Sequence, residues 1–127
     1  MLGKIYNQHA DRTVREAPGH EHDLLASIRR LSRACKEGVF LLEEELESND
    51  PDLSERCGLL ADRHEVYAIR IPGCRGYRLA VSIDLKSTKP PPVTIHGAIQ
   101  SQEACAVAGR LATTQLGLIN PTWEMQT

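Results

Sequence analysis

The stretch Val66-Tyr67-Ala68-Ile69-Arg70-Ile71-Pro72-Gly73-Cys74-Arg75-Gly76-Tyr77-Arg78-Leu79-Ala80-Val81-Ser82-Ile83-Asp84-Leu85 decides the fold. Tyr67, Ile69 and Ile71 alternate with Val66, Ala68 and Arg70. Beyond a glycine-containing turn at 72–76, Tyr77, Leu79, Val81, Ile83 and Leu85 alternate with Arg78, Ala80, Ser82 and Asp84. A period of two is that of a strand buried on one face, and two such runs about a short turn make a hairpin. After the loop from Lys86 to Pro92, a third run sets Val93, Ile95, Gly97 and Ile99 against Thr94, His96 and Ala98. The whole predicts an antiparallel meander over about residues 66–99, with odd-numbered residues on the core and the even-numbered face left for chemistry.

Register narrows that chemistry. A symmetric first turn, with Ile71 opposite Tyr77, sets Arg70 opposite Arg78; pairing Leu85 with Val93 sets Ser82 opposite His96. Arg70, Arg78 and His96 then share one face within about two residue pairs. Like charges directly across a ladder cost about 0.2–1 kcal/mol, a penalty that an anion bound between them reverses, so the pair points to a phosphate or carboxylate site. The alternative is that both arginines are solvated, or that one pairs with Asp84 or a helix glutamate.

Outward from the meander, Leu24, Leu25, Ile28, Leu31 and Cys35 recur at helical spacing from His20 or Glu21, with Gly38 as the stop. Val39 to Leu46 predicts a second helix with a buried first turn, ended by Ser48-Asn49-Asp50-Pro51, and Asp52 to Ala61 a short helical turn. Lys4 to Asn7 is a candidate short strand. Ser101 opens a last helix that Gly117 stops, with Ala104, Cys105, Ala108, Leu111 and Ala112 as a narrow packing face. The tail from Asn120 either folds back through Trp123 or is left mobile. The expected fold is α+β, one domain over 1–127, with helices packed on one face of the meander. Leu25, Ile28, Leu31, Ile69, Leu79, Val81, Ile83, Ile95 and Leu111 are its expected common core.

The chain has 127 residues and a formal net charge of −2, with a pI near 6.2, which argues against indiscriminate nucleic-acid binding through a wholly basic surface. Charge is segregated. Glu43, Glu44, Glu45, Glu47, Asp50, Asp52 and Glu55 gather acid in the middle, whereas the meander carries Arg70, Arg75, Arg78, Lys86 and Lys89. No run of 18 apolar residues and no apolar leader is present, so the expectation is a cytoplasmic protein with no membrane partner. The cysteines, Cys35, Cys57, Cys74 and Cys105, lie at wide spacings without a C-x-x-C and are expected as reduced thiols, Cys35 and Cys105 buried on helix faces and Cys74 at a turn beside Arg75. His20-Glu21-His22-Asp23 places two histidines on different faces of a helix start with no third ligand, so no metal or cofactor is assigned. Ser82, His96 and Asp84 lack the glycine-flanked turn of a nucleophile elbow.

The hairpin, with Tyr77-Arg78 opening its second strand and Val93-Thr94-Ile95-His96-Gly97-Ala98-Ile99 following, resembles the core of the RelE and HigB superfamily of toxin-antitoxin ribonucleases. The resemblance covers roughly residues 20–110 as a pattern, and the hairpin at the level of residues. It implies an endoribonuclease toxin acting on RNA, ribosome-dependent or not, and held by a cognate antitoxin. His96 would be its acid or base, Arg70 and Arg78 its phosphate stabilisers, and Arg75, Lys86 and Lys89 its RNA contacts. The other reading is a non-enzymatic protein-binding module, such as an inhibitor or a phage-type anti-defence protein, that engages a basic partner through an acidic helical surface at Glu43, Glu44 and Glu47.

Overall fold

The computed structural model describes residues 13–47, 55–87 and 91–125. Among them run β1 (Val14–Glu16), α1 (Glu21–Arg29), α2 (Arg33–Leu46), β2 (Arg56–Leu60), β3 (His64–Ile71), β4 (Cys74–Asp84), β5 (Val93–Gln100), α3 (Ala104–Gln115) and β6 (Trp123–Met125). The strands form one sheet in the order β1-β5-β4-β3-β2-β6, antiparallel except where β1 joins β5. The fold is α+β, built on the expected meander. No helix among the described residues is long and apolar enough to cross a membrane. The candidate strand at Lys4–Asn7 and the stop at Ser48–Pro51 lie outside the described residues.

Alternation does what it predicts through the centre of the sheet. Tyr67, Ile69, Ile71, Leu79, Val81 and Ile83 are buried together beneath α1 and α2, with Leu24, Leu31, Val39, Leu42 and Leu46 supplied by the helices. The opposite face is covered too. Val66, Ala68 and Ala80 lie beneath α3, whose Ala104, Ala108 and Ala112 are buried at spacings of four. Alanine against alanine lets a helix come close to a sheet, and so the face expected to be open carries the third helix instead. Leu111 therefore belongs to this second cluster. Leu25, expected in the core, is 45% exposed, because α1 turns its neighbour Leu24 inward instead, and α1 itself ends earlier than expected, at Arg29.

That ending has a local cause. Leu31 N–H closes a turn on Ile28 O at 2.9 Å, and the Ser32 hydroxyl then accepts from the Cys35 N–H at 3.3 Å as the N-cap of a new helix. One expected helix becomes two. Gly38 is consequently not a stop but lies inside α2, where a Cβ would come within 2.1 Å of the Pro72 carbonyl oxygen. Gly38→Ala should therefore lower stability by about 1–3 kcal/mol in chemical denaturation, since the backbone clash outweighs the gain of about 1 kcal/mol in helix propensity.

Two register shifts shape the meander. Gly73 at φ +72° lets Pro72-Gly73 close a tight turn with Ile71 opposite Cys74 rather than the expected Tyr77. Arg75, Gly76 and Tyr77 are left as a bulge, which Ser101 braces by donating its N–H to Gly76 O and its hydroxyl to Arg75 O. In β5, Gly97 pairs with Ala80 and Ile95 with Val81, so His96 is the extra residue of a second bulge. The bulge reverses parity, and Ile99 lies beneath α3 while Ile95 lies beneath α1 and α2. Asp52–Ala61, expected as a helical turn, contains strand β2.

All four cysteines are bridged, Cys35 to Cys74 and Cys57 to Cys105. The expectation of reduced thiols is thus corrected. The first bridge ties α2 to the β3–β4 turn and the second ties α3 to β2, one on each face of the sheet. Wide spacing hid the pairs, because the partners meet only after the layers have stacked.

Candidate functional site

At the turn end of the hairpin, Arg70 and Arg78 are directly opposed across β3 and β4, as the alternation predicts. A single carboxylate lies between them. Glu55 sets Oε1 at 2.8 Å from Arg70 Nε and Oε2 against Arg78 Nη1, and Arg78 Nη1 also donates to Ala68 O at 3.4 Å. The partner is therefore neither Asp84 nor a helix glutamate but a residue just before β2. Asp84 instead takes both Nε and Nη2 of Arg63 at 2.8 Å, and that guanidinium holds its carboxyl below the usual range.

The bulge at Arg75–Tyr77 opens a cleft of about 800 Å³ beside this pair, lined by Arg70, Arg75, Tyr77, Arg78, Ser101 and the turn residues. Arg70 is 78% exposed. Three arginines line it, and the one carboxylate beside it among the described residues, Glu55, engages only Arg70 and Arg78, an arrangement suited to an anion. Lys86 is not part of it, since it follows Asp84 past the far end of β4. Lys89 lies outside the described residues.

His96 is not part of it either. On the same sheet face but beneath α3, its side chain is 1% exposed. Its Nε2 lies 2.7 Å from Ser82 Oγ and its Nδ1 2.8 Å from Gln115 Oε1, while Gln115 Nε2 donates back to His96 O at 3.0 Å. With the Gln115 amide so oriented, Nδ1 carries the hydrogen and Nε2 accepts from Ser82. Burial pushes the imidazole pKa down to about 4, against a smaller opposing effect of the Gln115 hydrogen bond, so the ring is neutral at physiological pH. Of the expected trio, the two arginines are brought together and the histidine is sealed in the core. Asp84 takes no part in a Ser82–His96 chain; Gln115 occupies that position.

The acidic surface of α2 has a different character. Glu44 and Glu47 are exposed, and Glu43 is half-buried. Burial first, and then the charges of Glu16 and Glu47, hold the Glu43 carboxyl above its ordinary range. Beside these carboxylates stand Phe40, 67% exposed, and Leu41, 56% exposed. The expected buried first turn of a helix at Val39 is thus the middle of α2, with Val39 and Leu42 inward and Phe40 and Leu41 outward. His20 and Asp23 pair at 3.0 Å in the first turn of α1.

Sequence reasoning missed Glu55, Ser101 and Gln115 as the partners that organise these sites. A signal existed for Ser101, since a serine ahead of a helix is a natural bonding partner for an exposed loop. Comparison with protein-family models, with curated proteins and with solved structures finds no match to this chain.

Proposed function

We propose that this chain is a non-enzymatic protein-binding module that engages a basic partner through the outer face of α2. The observation that carries the reading is the exposure of Phe40 and Leu41 among Glu37, Glu44 and Glu47. A bare aromatic ringed by charge is the usual make-up of a binding anchor and its rim. Glu16, Glu43 and Glu47 crowd like charges that a partner's lysine or arginine would relieve. Two disulfides fit an oxidising compartment better than the expected cytoplasm.

Affinity capture with the disulfide-bonded protein as bait tests this. The wild type should retain a basic protein, and both Phe40→Ala and the triple change of Glu43, Glu44 and Glu47 to lysine should lose it, with melting temperatures nearly unchanged. Undiminished capture by the triple variant defeats the reading.

A second reading, RNA binding of the kind the RelE and HigB resemblance implies, is favoured by the arginine-lined cleft. General acid-base chemistry by His96 would require its exposure from beneath α3. RNA in the captured fraction, lost when Arg70 and Arg75 are replaced by alanine and released steeply by salt, would move the conclusion to that cleft.

A further inference from the structure

The far edge of the sheet carries a second, unrelated groove. It is about 530 Å³ in volume and runs between Gly109, Arg110 and Thr113 of α3 and the alternate residues Pro121, just ahead of β6, and Trp123 and Met125 within it, within the size range of ligand-binding grooves. Trp123 forms its floor. The indole is seated between two glycines: a Cβ at Gly58 would lie 3.0 Å from its Cη2, and one at Gly109 would lie 3.1 Å from its Cζ2. A Cβ at either position would crowd the ring, so the two glycines let the indole pack closely between β2 and α3, and a closely packed floor has little ordering left to lose when something binds.

Two further features say what fits. β6 ends the sheet, and among the described residues no strand pairs with its outer edge, which leaves a template for an added strand. Arg110 stands exposed at the rim, and no carboxylate among the described residues forms an ion pair with it. Met125 is half-exposed in the groove wall. An edge strand, a closely packed apolar floor and one unpaired cation together describe a peptide groove, because added strands gain affinity from backbone bonds and specificity from alternate side chains.

We propose that this groove receives an extended peptide that adds to the outer edge of β6, lays one apolar side chain on Trp123 and sets a carboxylate against Arg110. The occupant is a strand-forming segment with an apolar residue near an acidic group or a free C-terminus. This surface lies on the α3 side of the sheet, away from α2, and stands independently of the reading given above.

Trp123 is the sole tryptophan, so its emission reports on this groove alone. The probes are acetylated hexapeptides alternating threonine with valine, leucine or phenylalanine, each made with a free C-terminal carboxylate and as the carboxamide. At least one carboxylate peptide should shift Trp123 emission saturably and bind about ten-fold tighter than its carboxamide. Arg110→Gln should abolish that difference without lowering the melting temperature. The proposal is overturned if no peptide moves the emission, or if carboxylate and carboxamide bind the wild type equally. It is also overturned if phenylacetate binds as tightly as the peptides, which would make the groove a small-acid pocket.

Discussion

Replacing Cys57 and Cys105 together by alanine is expected to lower the stability of the folded chain by about 4 kcal/mol, and replacing Cys35 and Cys74 by about as much. The basis is the length of chain that each bridge closes, 48 residues in the first case and 39 in the second. Cross-linking removes conformations from the unfolded ensemble, and loops of these lengths give that order of effect. Set against a whole-domain stability of about 5–15 kcal/mol, losing both bridges removes about half of it or more. Urea denaturation with and without dithiothreitol measures this directly. The expected result is a large drop in midpoint on reduction and no thiol reactive toward Ellman's reagent in the unreduced, unfolded chain. Free thiols there, or a midpoint indifferent to reductant, would show that the bridges do not form.

Acidification should destabilise the protein before its carboxylates are titrated. His96 has a folded pKa of about 4 against an ordinary value of 6.5, because burial penalises the imidazolium. As pH falls through 6.5 the unfolded chain takes up a proton at this residue, and the folded chain does not until about pH 4. The unfolded state therefore gains throughout that window, and stability falls by about 3 kcal/mol across it. His64, also lowered by burial, contributes in the same direction. The Glu43 carboxyl, raised by burial and by Glu16 and Glu47, acts oppositely: it weakens the fold at neutral pH and ceases to do so when protonated. Denaturation midpoints of the wild type and His96→Gln between pH 7 and pH 4 separate these effects. The variant should begin less stable, with a cavity and an altered Ser82–Gln115 network, yet lose less on acidification. Parallel curves would mean that His96 takes up its proton equally in both states.

The hairpin was legible because its information is local. A period of two says which residues share a face, and the burial of Val81 follows from that; Arg70 meets Arg78 as expected, although through a tight turn and a bulge in place of the symmetric turn. What lay beyond was set by partners distant in sequence. His96 and Thr94 look like the solvent face of a strand, yet both are buried: α3 brings Gln115 over His96, and Thr94 bonds Arg15 of β1, partners that the polar residues themselves do not announce. The bulge at His96 has no signature apart from Gly97. Strand β2 was hidden by Gly58, a residue that strands usually avoid and that is bare here to admit β6. Ser32, a good N-cap, was read as part of a continuing helix because the apolar stripe ran past it to Cys35.

The two bridges alternate along the chain, in the order Cys35, Cys57, Cys74, Cys105, with the first joined to the third and the second to the fourth. A protease that nicks the backbone once anywhere between Cys35 and Cys105 therefore cannot release a fragment. A cut before Cys57 is spanned by the first bridge, a cut after Cys74 by the second, and a cut between them by both. In a protease-rich milieu the molecule would survive its first cleavage as one covalent body, losing pieces only from its ends.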